Sequence, residues 1–204
     1  MAKKAKEKPL EVRGVRGDRR DDIISAARRL FAAKGYEATT MAEIAASLEL
    51  AEGTVYLYFD NKRMLVTAVA IAWFGDIVDQ TEREAQSIAV LPARLQFLIR
   101  SHLEMILAHP SMYLLFIREV RASPTYESSG GRALNRRYTD LLRPCIDGAK
   151  PTPGLDFPVA RDMVYGGVEH VAWSAIVRKE TAPARIQQLS ADLATAYGRA
   201  LGLA

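Results

Sequence analysis

The residues best suited to bind a ligand at a surface are concentrated between Thr39 and Lys62 of this 204-residue chain. That stretch, TTMAEIAASLELAEGTVYLYFDNK, combines hydroxyl groups, tyrosines, a glycine and a lysine. Hydroxyls and helix N-termini favour phosphate oxygens, and a lysine ammonium acts as a point charge for phosphate. A threonine methyl or hydroxyl can also meet base edges in the major groove. The side chains in this stretch are therefore suited to nucleic acid.

Two short helices with a tight turn between them are predicted to position these side chains. Thr40 and Glu43 have the spacing of a capping box, which predicts a helix start. Met41, Ile44 and Leu48 then recur at helical spacing. Residues 49–51 are too short for anything but a turn, and residues 52–59 form a second helix. This is the pattern of a helix-turn-helix, whose second helix enters the major groove of DNA.

The N-terminal quarter of the chain resembles the signature of TetR/AcrR-type transcriptional repressors. The resemblance covers residues 20–65 and includes the motifs Leu30-Phe31, Gly35-Tyr36, Gly53-Thr54-Val55-Tyr56 and Tyr58-Phe59. It implies that the second helix of the pair reads bases and that neighbouring residues hold phosphates. The DNA-binding residues expected by matching position are Thr40, Glu52, Gly53, Thr54, Tyr56, Tyr58 and Lys62.

Two residues depart from the pattern of that family. Glu49 and Ala51 stand where the family more often has glycine and serine or threonine. Ala51 cannot cap the second helix, a loss on the order of 1 kcal/mol. Glu52 places a carboxylate near phosphate, although it could accept a hydrogen bond from cytosine N4. Tyr36 is interpreted as a cover for the small core rather than as a DNA contact.

Composition and charge limit the function further. The net charge is +4, and residues 1–18 contribute six basic and three acidic residues. They are predicted to be a disordered basic arm, followed by a helix-turn-helix domain over 19–63 and a helical ligand-binding and dimerisation domain over 64–204. The single cysteine, Cys145, excludes an internal disulfide. The sequence shows neither a signal peptide nor a run of 18 apolar residues, so a cytoplasmic protein without a membrane contact is expected.

The fold class predicted is all-α, with about nine helices and an N-terminal three-helix headpiece. The first helix is expected to begin at Asp18 or Asp21 and to end at Gly35. Helices in the middle of the chain are expected to enclose a pocket for a small lipophilic effector. Its expected lining is apolar and aromatic, although each residue alone is more typical of a core: Trp73, Phe97, His102, Met105, Met112, Phe116, Tyr165, His170 and Trp173.

The last two helices are the best candidate for a homodimer interface. Helix-turn-helix proteins usually bind palindromic operators as dimers with reading helices about 34 Å apart. Two helices from each subunit would form a four-helix bundle with two-fold symmetry. The expected interface consists of Val164, Gly167, Val168, Val171, Ala175, Leu189, Leu193 and Tyr197.

The sequence favours a DNA-binding regulator over an enzyme. Cys145 lies in no catalytic motif, Glu169-His170 is not part of HExxH, and no glycine-rich phosphate loop is present. No metal or cofactor is predicted. Two regulators remain open: a repressor released by a lipophilic ligand, or a protein of the same fold that answers a protein partner or organises the chromosome. In the first, ligand would move the fourth helix and change the spacing of the two reading helices.

Overall fold

A computed structural model of the chain describes residues 12–149 and 156–203, with side chains described from residue 19. All the regular elements in these ranges are helical, which confirms the predicted all-α fold. They are α1 (Val12–Lys34), α2 (Met41–Ala46), α3 (Glu52–Tyr56), α4 (Lys62–Gln86), α5 (Leu91–Ala108), α6 (Pro110–Leu115), α7 (Gly131–Asp140), α8 (Arg143–Asp147), α9 (Phe157–Val177) and α10 (Pro183–Leu201). After α6 the chain continues in a π-helical turn, Phe116–Arg121.

The chain divides into two compact units, and the division falls after Val69. We call the N-terminal unit the head unit and the remainder, from Ala70, the body unit. The predicted boundary at residue 63 lies earlier than this division. The first two turns of α4, with the buried Leu65, Val66 and Val69, therefore belong to the head unit.

The first helix is longer than predicted. It begins at Val12 instead of Asp18 or Asp21, so residues 12–18 of the expected arm are helical. Residues 1–11 of that arm lie outside the described part of the chain. Once a helix is nucleated, each added residue gains a hydrogen bond, and a glycine costs only about 1 kcal/mol. The C-terminus is as predicted, with Gly35 in the left-handed region at φ 84°.

A small apolar core holds the first three helices together. Its members come from all three helices and from the residue that follows them in the next turn: Ile23, Ile24, Ala27, Phe31, Met41, Ile44, Ala45, Val55 and Phe59. The predicted capping box is present at the start of α2, where Thr40 Oγ1 accepts from the Glu43 amide at 3.2 Å. In return the Thr40 amide donates to Glu43 Oε2 at 2.8 Å.

The turn between α2 and α3 explains why the two departures from the family pattern matter. Glu49 has φ 56°, and the amide of Leu50 donates back to the carbonyl of Ala45 at 2.9 Å. This is a Schellman ending, in which glycine is favoured and another residue costs about 1 kcal/mol. Ala51 occupies the N-cap position of α3 and gives no side-chain cap.

The body unit is built around α5. That helix packs against α9 and α10, and the short α8 contacts both α5 and α9. Large side chains that are almost fully buried fill the interior: Trp73, Phe74, Leu95, Leu98, Ile99, Tyr113, Phe116 and Tyr138. Among the helices that the structure describes, α4 is long and apolar enough to cross a membrane, a test that core helices of soluble proteins also pass.

Candidate DNA-binding surface and ligand cavity

Helix α3 presents most of the residues predicted to read bases. Val55 is fully buried and anchors the helix, whereas Glu52 and Gly53 are exposed and Tyr56 is 44% exposed. Thr54 is half-buried beside them. A methyl group added at Gly53 would meet no atom within 4 Å. The fold itself therefore does not require glycine here, and the open space is available to a molecule outside the chain.

The helix predicted to read bases is shorter than expected. It ends at Tyr56 instead of Phe59, because the amides of Leu57 and Tyr58 bond to carbonyls three residues back, at 3.2 and 3.0 Å. Tyr58 is therefore half-buried in the turn that follows α3. Leu57, which was not among the predicted site residues, is 83% exposed beside Tyr56. An exposed aliphatic side chain at this point suits a thymine methyl group.

The Thr40 side chain is engaged within the protein. Its hydroxyl donates to Glu43 Oε2 at 3.0 Å, and Lys34 forms an ion pair with the same carboxylate group. Lys34 and the Thr40 groups lower the pKa of Glu43 to about 2. A contact from the Thr40 hydroxyl to phosphate therefore requires the hydroxyl to turn away from Glu43.

Lys62 is held in place at the first residue of α4. Its ammonium lies 4.2 Å from the ring centre of Tyr36 and donates to the carbonyl of Glu37 at 3.3 Å. An ammonium has three donors, so this arrangement orients Lys62 and leaves donors for a phosphate. Tyr36 itself packs edge-on against Phe31 at 5.7 Å, in agreement with its interpretation as a cover for the core.

The body unit contains a cavity of about 610 Å³. This volume is within the range of small-molecule sites. Its buried wall is aromatic and is formed by Phe74, His102, Tyr113, Phe116, Tyr138 and Tyr165. The rings contact one another, with centroid distances of 4.3 Å between Phe74 and Phe116 and 5.0 Å between His102 and Tyr165. Residues from α4 through α9 contribute, so the cavity exists only when these helices are packed.

Arginines dominate the more exposed part of the same cavity. They are Arg121, Arg132, Arg136, Arg143 and Arg161, accompanied by the acidic residues Asp140, Asp162 and Glu169. Asp140 lies 3.7 Å from Arg136 and 3.9 Å from Arg143 and is thus shared between two guanidinium groups. Guanidinium groups match the geometry of phosphate and carboxylate. The excess of arginine therefore suits an anionic group at this end.

Two polar side chains in the buried wall have unused hydrogen-bonding capacity. The Nδ1 atom of His102 lies 3.3 Å from the Tyr138 hydroxyl, but its Nε2 atom has no hydrogen-bond partner among the described residues. Burial, and secondly the charge of Arg121, lower the pKa of His102 to about 3, so the ring is neutral. The Tyr113 hydroxyl is buried and has no partner at ordinary hydrogen-bonding distance among the described residues. Burial, and secondly a hydrogen-bonding interaction with the Glu169 carboxylate, raise the pKa of Tyr113.

The predicted pocket residues fall into four groups. His102, Phe116 and Tyr165 line the 610 Å³ cavity, and Phe97 and Met105 line a smaller one of about 170 Å³. Trp73 and Met112 are buried and Trp173 is half-buried, and none of them lines either cavity. The assignment of His170 to the pocket is wrong. That residue is exposed, because two residues beyond the buried Val168 a helix faces away from the core.

The predicted dimer residues also need correction. Val164, Val168 and Ala175 are buried within the chain itself and belong to its own core. A Cβ atom on Gly167 would lie 1.8 Å from the hydroxyl oxygen of Tyr197, so this glycine serves the packing of α9 against α10. Tyr197 in turn donates to the Met163 carbonyl at 2.9 Å. Val171, Leu189 and Leu193 are half-buried and can still contribute to an interface.

Another face of α9 is exposed and largely apolar. It consists of Val159, Met163, Gly166, His170 and Val177, and we call it the α9 stripe. Successive members are three, four or seven residues apart, so they lie on one side of the helix. A methyl group at Gly166 would meet no atom within 4 Å.

Sequence reasoning missed the arginines and Tyr113, because they are scattered over the chain and follow no motif. A partial signal existed in the 132–143 segment, which is basic on one side and contains Arg132, Arg136 and Arg143. Tyr113 could not be distinguished from an ordinary core residue.

Comparisons with known proteins agree with this architecture. The family model for bacterial regulatory proteins of the tetR family matches residues 23–69. The fatty acid metabolism regulator protein of Bacillus subtilis is 23% identical over 78% of this chain and 84% of its own length. The repressor KstR2 of Mycobacterium tuberculosis is 25% identical over 81% and 83%. A crystal structure of the Bacillus subtilis regulator FadR with stearoyl-CoA is 20% identical and shares the fold, with a TM-score of 0.69 over 88% of this chain and 98% of that chain.

Proposed function

The chain belongs to the TetR family of bacterial transcriptional regulators, and from that premise we propose that it is a dimeric repressor released from its operator by an anionic, lipophilic effector. The observation that carries the proposal is the body cavity, which combines a buried aromatic wall with arginines at its more exposed end. A cytoplasmic location accompanies this function, because the DNA is there. The named relatives are regulators rather than enzymes.

DNA recognition is assigned to the surface around α3. Gly53 and Tyr56 are exposed on this helix, and Tyr36 and the Glu37 carbonyl orient Lys62 at the start of α4. We expect Gly53 to allow close approach of the duplex, Tyr56 and Thr54 to meet base edges or phosphates, and Lys62 to hold a phosphate. Leu57 adds an apolar contact to the same surface.

Operator binding by single variants tests this assignment. The operator is first recovered by sequencing genomic fragments that the protein retains. Lys62→Ala should then weaken binding and lower the salt slope by about one, because one phosphate contact is lost. Lys179→Ala, which removes an exposed lysine of the body unit, is the matched control and should change neither quantity.

Two further variants test the close approach and the reading helix. Gly53→Ala should fold normally, since its methyl group meets no atom of the chain, yet should bind the operator more weakly. Tyr56→Phe should weaken binding through the loss of its hydroxyl. Unchanged operator affinity in all three head variants would contradict the site.

The effector class follows from the two ends of the cavity. Aromatic side chains bury a hydrocarbon, and guanidinium groups bind phosphate or carboxylate. FadR of Bacillus subtilis, a structural relative, holds stearoyl-CoA, which has both an acyl chain and phosphates. We therefore infer an acyl-CoA thioester as the effector of this chain. A ligand that prefers the free repressor must lower its affinity for DNA.

Three probes distinguish the parts of such a ligand. Stearoyl-CoA should displace the repressor from a fluorescent operator fragment, whereas coenzyme A alone and stearate alone should do so much less well. Arg136 and Arg143 lie on either side of Asp140 in the arginine-rich part of the cavity. Replacing both with glutamine removes two candidate partners for the phosphates. The double variant should therefore need a higher concentration of stearoyl-CoA for release from the operator. Release by none of the three probes would contradict an acyl-CoA effector.

Dimerisation is assigned to the α9 stripe together with the half-buried Leu189 and Leu193 of α10. Gly166 offers a point of close approach between helices. A Met163→Arg substitution should shift the protein from dimer to monomer in sedimentation velocity and weaken operator binding with it. A Gln188→Arg substitution on an exposed position of α10 provides a charge-matched control.

A further inference from the structure

The buried wall of the body cavity is more polar than a hydrocarbon chain requires. His102 is neutral and its Nε2 atom has no hydrogen-bond partner among the described residues. The Tyr113 hydroxyl likewise has no partner at ordinary hydrogen-bonding distance, and the acceptor that acts on it is the Glu169 carboxylate. Both residues line the cavity and both are more than nine-tenths buried. A buried polar group without a partner destabilises a fold, and native proteins retain few of them.

A charged pair lies close to these two groups. Arg121 lies 3.7 Å from Glu169, and both line the cavity. The charge of Arg121 acts on His102 and on Tyr113, and that of Glu169 acts on Tyr113. Arg121 is the last residue of the π-helical turn that begins at Phe116. Such turns are uncommon and are frequently found at functional sites.

We propose that the effector carries an uncharged oxygen, a hydroxyl or a carbonyl, within its lipophilic part, and that His102 and Tyr113 recognise it. Neutral imidazole offers either a donor or an acceptor at Nε2, depending on the proton at Nδ1, and a phenol offers both. These two residues thereby distinguish an oxygenated acyl chain from a saturated one. The inference rests on the proposal that the cavity holds an acyl thioester.

The main experiment compares three thioesters on the wild-type protein. They are stearoyl-CoA, a mid-chain hydroxystearoyl-CoA and the ω-hydroxy analogue, measured by isothermal titration and by release of a fluorescent operator. One of the hydroxylated ligands should bind on the order of tenfold more tightly than stearoyl-CoA, the effect of one buried hydrogen bond. Tighter binding of stearoyl-CoA than of both analogues, or equal binding of all three, would overturn the inference.

Variants identify the residues that cause the preference. Tyr113→Phe and His102→Leu should each remove most of the preference for the hydroxylated ligand while stearoyl-CoA still binds. A preference that survives in both variants would overturn the assignment. If none of the three thioesters binds, the acyl-CoA effector itself is wrong. If all three bind equally, only the recognition of the oxygen is wrong. The two outcomes can thus be told apart.

The ligand-free protein gives an independent test that does not depend on the choice of thioester. Tyr113→Phe removes a hydroxyl that has no partner at ordinary hydrogen-bonding distance and should raise the Tm by about 2–4 °C. Tyr165→Phe removes a hydroxyl that donates to the Tyr138 carbonyl at 3.4 Å and should lower the Tm. A fall in the Tm of Tyr113→Phe would show that its hydroxyl is satisfied within the protein and would contradict the inference.

Discussion

The head unit and the body unit present their candidate sites in opposite ways. In the head unit most of the residues proposed to bind DNA lie on an exposed surface, and the fold leaves open space around Gly53. In the body unit the ligand residues surround a cavity, and His102 and Tyr113 are buried without full hydrogen bonding. A surface site can be built from one local motif, whereas a cavity requires several helices distant in sequence to pack.

Core truncation gives the largest expected difference between the two units. Phe59 is 1% exposed in the head unit and Phe116 is 2% exposed in the body unit. Replacing either by alanine should cost about 3–5 kcal/mol, measured by urea unfolding. Phe59→Ala should also abolish operator binding, because the small head core supports α3.

The Phe116→Ala variant should still bind the operator at low temperature. It should need a higher concentration of stearoyl-CoA for release, since Phe116 lines the cavity. Loss of operator binding in both variants at equal stability would show that the two sites are not built independently.

The two units should lose stability in different ranges of acid pH. The folded-state pKa of His102 is about 3 against an ordinary value of 6.5, so the unfolded state binds the proton first. Stability should therefore fall as the pH drops below 6.5, by about 1.4 kcal/mol per unit at most. The pKa of Glu43 is about 2 against 4.5, so the contribution of the head capping box should be lost only below pH 4.5.

Thermal unfolding from pH 7 to pH 3 checks both windows. His102→Leu should flatten the curve between pH 6.5 and 4.5, and Glu43→Gln should flatten it only below that range. If His102→Leu retains the full slope, another group must cause the acid sensitivity of the body unit.

Two neighbouring glycines in α9 test whether a glycine serves its own chain or a partner. Gly167→Ala places a methyl group against Tyr197 and should cost about 1–3 kcal/mol by overpacking. Gly166→Ala meets no atom of the chain and should gain up to about 1 kcal/mol of helix propensity. We nevertheless expect Gly166→Ala to weaken the dimer in sedimentation experiments at low concentration. Equal stability of the two variants would contradict the packing role of Gly167.

The same contrast explains how much the sequence could predict. The capping box of Thr40 and Glu43, the left-handed Gly35 and the position of Lys62 at the start of α4 depend on neighbours within a few residues, and all three agree with the structure. The cavity depends on contacts among elements from α4 through α9, and only His102, Phe116 and Tyr165 of the nine predicted residues line it. Periodicity identified apolar faces but could not show which neighbour covers them. For this reason Val164 and Val168 were assigned to a partner instead of to the core.

Helix ends provide the smallest and most closely matched comparison between the units. α2 in the head unit and α9 in the body unit are each followed, within three residues, by a residue other than glycine in the left-handed region, Glu49 at φ 56° and Lys179 at φ 60°. In both, the following amide bonds five residues back, to Ala45 at 2.9 Å and to Ala175 at 2.8 Å. Glycine in these positions relieves the Cβ strain but adds freedom to the unfolded chain. Glu49→Gly and Lys179→Gly should therefore each stabilise the protein by about 0.5–1 kcal/mol.

The functional consequence should differ between these two variants. Glu49→Gly also removes a carboxylate next to the DNA-binding helix pair, so operator affinity should rise slightly and its rise should fade at high salt. Lys179→Gly removes a charge from an exposed position of the body unit that is far from α3 along the chain. Operator affinity should therefore stay the same. Urea unfolding and operator titration at two salt concentrations measure both effects. Destabilisation by Glu49→Gly would mean that the Glu49 side chain stabilises the turn by more than its backbone strain costs. Glutamate would then be the better residue for this turn, although the family more often has glycine there.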